Sequence, residues 1–85
     1  LSKSNLAGAN LTNANLSYAN LTSANLINTK LRNANLTNSN LTNANLTNAN
    51  LSGANLTGLN GSKLLACPGI LPKGWSCNDN VLLEK

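Results

Sequence analysis

Few side chains in this sequence are equipped for covalent chemistry. There are two cysteines, Cys67 and Cys77, separated by a segment with Pro68 and Pro72, no histidine, and two carboxylate side chains, Asp79 and Glu84. Serine and threonine are abundant, but a hydroxyl without a neighbouring base is a poor nucleophile. Lysine adjoins serine at Lys3-Ser4 and Ser62-Lys63, and both pairs read as solvated surface rather than a Ser-Lys dyad. No glycine loop suited to phosphate is present, and two cysteines without histidine are too few ligands for a metal. The residues predict a protein that is not an enzyme and carries no cofactor. In a small, loop-rich segment the cysteine pair predicts a disulfide worth roughly 2–3 kcal/mol in loop entropy. The other reading is two buried free thiols in a cytosolic cap.

A disulfide would place the protein in an oxidising compartment, a periplasm or a thylakoid lumen. A second pattern narrows that choice. Asn-Leu-Thr or Asn-Leu-Ser recurs at Asn10, Asn15, Asn20, Asn35, Asn40, Asn45, Asn50 and Asn55, each an acceptor pattern for N-glycosylation. Sugars at so many positions would disturb tight stacking, so a bacterial or plastid setting is the simpler expectation.

The net charge of +4 comes from Lys3, Lys30, Arg32, Lys63, Lys73 and Lys85, spread along the chain. Scattered cations form no stripe, and with Tyr18 and Trp75 as the only aromatics there is no stacking platform, so nucleic-acid binding is not expected. Lys30 and Arg32 are the best local contact for an anion or partner, with a merely solvated corner as the blander reading. No apolar run approaches the roughly 18 residues of a membrane span.

What must position these groups is set by leucine, which occupies every fifth place from Leu1 through Leu6, Leu11, Leu16, Leu21, Leu26, Leu31, Leu36, Leu41, Leu46 and Leu51 to Leu56. On a helix each step of five advances about 500°, so the leucines would spiral over every side. On a straight strand an odd step alternates faces. They share one interior only if the chain turns a corner about once per unit. Two places before most leucines stands a small residue, such as Ala9, Ala24 or Ala54, and directly before nearly all stands Asn. Residues two apart point the same way on an extended segment, so the leucine and the small residue face inward. Asn and Gly at the remaining positions suit the corners. Four sides close a square of about 20 residues, with turns about 4.8 Å apart. A disordered or aggregating Asn/Thr-rich tract is the alternative, but such tracts have no reason to hold an unbroken leucine phase.

The units ANLTN, ANLSY, ANLTS, ANLIN and ANLSG resemble those of pentapeptide-repeat proteins: Ala, then Asp or Asn, then Leu and two variable residues. The resemblance covers residues 1–60 and departs at Thr29-Lys30. It implies an all-β fold, a right-handed quadrilateral parallel β-helix of about three coils. Some members inhibit type II topoisomerases by mimicking DNA with a strongly acidic surface; the basic charge here disfavours that role.

Asn60-Gly61 signals a turn and breaks the phase. Residues 61–85 are therefore read as a C-terminal cap, with Leu64, Leu65, Leu71 and Trp75 sitting on the last leucine layer; the alternative is a partner-binding tail with Trp75 as its hot spot. Leu71 to Trp75 resembles tails of cyanobacterial members of the family. At the other end, Leu1 and Leu6 form a layer without a cap, which predicts preceding residues or a homodimer through that end. The expected function is a rigid scaffold or protein-interaction module. The alternative is a surface array for an anion, ice or a repetitive polymer, built on stacks such as Thr22 with Thr42, and Ser17 with Thr37 and Thr57.

Overall fold

A computed structural model describes residues 1–84. The chain turns a corner once in every five residues. The amide three places after a leucine donates to that leucine's carbonyl, as from Ala9 to Leu6 (3.0 Å), Ala14 to Leu11 (3.0 Å) and Ala44 to Leu41 (2.9 Å). The second residue after each leucine has positive φ, including Asn13 (65°), Asn33 (57°) and Asn48 (58°). A left-handed residue at the third place of a four-residue reversal defines a type II turn, and Asn tolerates that conformation better than most residues. Tyr18 (φ 60°) and Ser23 (φ 61°) take it without that advantage.

Four turns return the chain to its starting side. Parallel bridges join Asn5 to Asn25, Asn10 to Lys30, Asn15 to Asn35, and so on to Asn40 with Asn60, a constant step of twenty residues. Each side contributes one bridged residue rather than a continuous strand. Other amides climb between coils, such as Leu6 N–H to Asn25 O (2.8 Å) and Gly8 N–H to Ile27 O (2.9 Å). The leucines consequently stack in four columns around one axis.

Leu21, Leu26, Leu31, Leu36, Leu41, Leu46, Leu51 and Leu56 are fully buried. Leu6, Leu11 and Leu16 pack against this core but are only partly buried, and Leu1 is 59% exposed. The cause is geometric: among the described residues the first coil is packed on one side only. Burial of each inner leucine contributes about 1.5–3 kcal/mol, and contacts run only between adjacent layers, as in other solenoids. The small inward position is held by Ala24, Ala34, Ala44, Ala49 and Ala54, all buried, and equally by Thr29 and Ser39. Those two hydroxyls donate to Leu6 O (2.9 Å) and Leu36 O (2.8 Å), so their burial leaves no unpaired polar atom. The departure at Thr29-Lys30 does not disturb the ladder, because Lys30 N–H still reaches Ala9 O at 2.9 Å.

The stack continues past Asn60 with a slip. Asn45 bridges Ala66, twenty-one residues on, and Asn50 bridges Ile70, twenty on again. Trp75 N–H then donates to Pro72 O (3.2 Å) across a turn whose Gly74 has φ 88°. Two strands follow, β1 (Trp75–Asn78) and β2 (Val81–Glu84), paired antiparallel with Cys77 opposite Leu82. Asp79 (φ 51°) and Asn80 (φ 62°) connect them. Positive φ at both residues of a two-residue loop makes a type I′ turn, whose twist suits a hairpin.

The hairpin folds back on the last coil. Leu82 N–H donates to Gly61 O (3.0 Å) and Leu64 N–H to Asn80 O (2.9 Å). Gly61 follows Leu21 and Leu41 in one column, and a Cβ built there would lie 3.0 Å from Leu82 Cδ1. Leu82, buried, and Leu59, whose Cδ2 would lie 2.7 Å from that Cβ, take the space a further leucine would have used. Leu64 is buried, and Leu71, Trp75 and Cys77 pack against the same core. Leu65 does not: it is 64% exposed, contrary to its expected place in the cap. Neighbouring side chains on an extended segment point in opposite directions, so with Leu64 inward Leu65 must face out. No helix of the described residues is long and apolar enough to cross a membrane.

Candidate interaction surface

The corners are fixed by the asparagine that precedes nearly every repeat leucine, and by Asn60 before Gly61. Its Oδ1 accepts the amide two residues on, from Ala7 to Asn5 (3.2 Å) through Thr42 to Asn40 (3.0 Å) to Ser62 on Asn60 (3.4 Å), in eleven turns. Where that residue is Ser or Thr its hydroxyl can donate to the same oxygen, as at Thr12 (2.7 Å), Thr42 (2.6 Å) and Thr47 (2.6 Å). Asn-Leu-Thr is therefore a turn-forming unit, which gives the recurring glycosylation-like pattern a structural cause. Lys30 stands where the twelfth asparagine would be. It has no oxygen to offer, so the Arg32 amide lacks the partner its equivalents have.

The twenty-residue register stacks Thr22 with Thr42, and Ser17 with Thr37 and Thr57. The hydroxyl hydrogens of Ser17 and Thr42 are already committed to Asn15 (2.7 Å) and Asn40 (2.6 Å). These ladders brace the turns first and face solvent second.

Lys30 and Arg32 are exposed on either side of buried Leu31. Arg32 occupies one corner, with Thr12 and Ser52 below and above it in register. The next corner in the preceding coil carries Tyr18, 77% exposed. Tyr18 was not singled out by sequence reasoning, although the leucine phase places a bulky residue at the left-handed position there. Residues 1–60 carry Lys3, Lys30 and Arg32 and no carboxylate side chain. The coiled body thus carries cations without carboxylates, and Tyr18 is its solvated aromatic.

In the cap, Cys67 and Cys77 form a disulfide with Cα atoms 6.0 Å apart, well inside the usual range for a bridge. It ties the segment after Ala66 to β1. Among the described residues there is no cluster of potential metal ligands and no cavity.

A chain that turns every five residues, stacks every twenty and buries a leucine and a small residue from each unit is a four-sided β-helical solenoid. The family model for pentapeptide repeats matches residues 1–33 and 19–58, and the chain belongs to that family. Among solved structures it is similar to HetL, a pentapeptide repeat protein involved in heterocyst differentiation regulation in the cyanobacterium Nostoc sp. strain PCC 7120. The two are 38% identical with a TM-score of 0.69, over 71% of this chain and 29% of that one. A pentapeptide repeat protein of the cyanobacterium Cyanothece 51142 is also 38% identical, with a TM-score of 0.52 over 84% of this chain and 41% of that one. The chain thus spans less than half the length of either structure. None of the curated proteins matches it significantly.

Proposed function

We propose that the chain is a non-enzymatic scaffold that docks an acidic protein at the corners bearing Tyr18, Lys30 and Arg32. The observation that carries this is Tyr18: a large aromatic held 77% exposed in a left-handed conformation where the turn favours Asn or Gly. A large aromatic retained in solvent at a strained position supports use at that residue, and Tyr and Arg are, with Trp, the residue types enriched among those that anchor protein interfaces. The absence of carboxylates from residues 1–60 sets the partner's sign. HetL, similar over most of this chain, is involved in heterocyst differentiation regulation, which agrees with a docking role.

The test compares immobilised wild type with a Tyr18→Asn/Arg32→Ser double variant, both chosen from residue types already found in those columns. A partner retained by the wild type, released by moderate salt and lost from the folded variant supports docking there. Equal retention by both overturns the assignment. The disulfide further supports an oxidising compartment of a bacterium or plastid, which thiol alkylation of the freshly extracted protein checks directly.

A further inference from the structure

Asn60 and Gly61 form a peptide unlike any other in the molecule. Asn60 makes the same turn as the ten asparagines before it, its Oδ1 accepting both the amide (3.4 Å) and the hydroxyl (3.0 Å) of Ser62. In every other such turn the asparagine is followed by leucine. Most of those leucine amides are occupied by the next coil, as at Leu36 N–H to Asn55 O (2.9 Å) and Leu41 N–H to Asn60 O (2.9 Å). At position 61 the leucine is replaced by glycine, and the Gly61 N–H has no acceptor among the described residues. The asparagines at left-handed positions are protected differently: the following amide donates back across the turn, as from Thr29 to Leu26 (3.2 Å) and Ser39 to Leu36 (3.0 Å).

We propose that Asn60 is a selective site of spontaneous deamidation that ages the cap. The Gly61 nitrogen attacks Asn60 Cγ; an N–C bond forms, the Cγ–Nδ2 bond breaks, and Nδ2 leaves as ammonia with the proton lost from Gly61. Water then opens the resulting cyclic imide at either carbonyl, giving aspartate or isoaspartate at position 60. Negative charge develops on Oδ1 during the attack, and the two Ser62 donors already point at that atom. Glycine adds no Cβ to crowd the approach. Asn55 supplies an internal control, because Leu56 N–H is equally without an acceptor among the described residues but belongs to a branched residue.

The consequence falls on the lid. Asn60 is held by its main chain to Ser39 O (2.8 Å) and to Leu41 N–H (2.9 Å), and Gly61 O receives Leu82 N–H (3.0 Å). Isoaspartate inserts one methylene into the backbone between these anchors, displacing Gly61 and the hairpin bound to it. Both products lower the net charge by one from +4, since each frees a carboxylate; aspartate alone leaves the backbone length unchanged.

The experiment incubates the oxidised full chain in mildly alkaline buffer and follows modification by peptide mass spectrometry, with isoaspartate scored by enzymatic methyl labelling. The expected result is modification at position 60 at least about tenfold faster than at Asn55, slowed severalfold in Ser62→Ala. Amide exchange at Leu82 should rise with isoaspartate content while Leu36 stays protected. Equal rates at Asn55 and Asn60 would overturn the assignment, as would an unchanged rate in Ser62→Ala. Unaltered exchange at Leu82 in modified protein would overturn the effect on the lid.

Discussion

The hydroxyl of Thr29, in the second coil, donates to the carbonyl oxygen of Leu6 in the first, at 2.9 Å. The same oxygen accepts the Ala9 amide at 3.0 Å. A threonine with no solvent exposure thus stands in a column built for alanine, and its one polar group is spent on holding two coils together.

Thr29→Val keeps the shape and removes that bond. Because Ala9 still satisfies the Leu6 carbonyl, the expected cost is about 1 kcal/mol, the net value of a typical hydrogen bond. Thr29→Leu overfills the column and should cost about 1–3 kcal/mol. Urea denaturation of the two variants would show the order; a valine variant less stable than the leucine variant contradicts this account.

Lys30→Asn should stabilise the protein. The substitution returns an Oδ1 to the one turn that lacks it and gives the Arg32 amide the acceptor its equivalents have. A gain of about 0.5–1 kcal/mol is expected, within the range for a side-chain cap on a backbone amide. No rise in the thermal midpoint would mean that water serves the Arg32 amide equally well.

Leu36→Ala and Leu11→Ala should differ although each removes the same atoms. Leu36 is fully buried between coils, whereas Leu11 is only partly buried in the first coil. The inner truncation leaves a cavity and should cost about 2–5 kcal/mol, the outer one distinctly less. Equal losses would be incompatible with layer-by-layer stability.

Reduction of Cys67–Cys77 should act on the cap more than on the coils. The closed loop constrains the unfolded chain by roughly 2–3 kcal/mol, and Cys77 sits in β1 opposite Leu82. Hydrogen exchange should quicken at the Leu82 and Leu64 amides after reduction while the inner ladder at Leu31 and Leu36 stays slow. Uniform acceleration throughout would show that cap and coils unfold together.

The solenoid was legible because its signal is repeated: one leucine every five residues admits a single interior only if the chain turns at each unit, whatever the local details. Leu21 to Leu56 in the core and the stacking of Thr22 on Thr42 follow from spacing and residue type, whereas Cys67 and Cys77 admit a disulfide or two free thiols until the fold brings them together. The cap was legible only as a cap. Leu64 and Leu65 are equally apolar, and which one faces inward depends on a one-residue slip between Asn60 and Ala66 that appears only when the segment is laid on the coil beneath. Leu82 fills the place above Gly61 because the Asp79-Asn80 turn reverses the chain there, a contact across twenty-one positions that no local pattern specifies. Repetition writes the same instruction many times and so survives reading in isolation. A lid is used once, and its side chains take their directions from the surface they close.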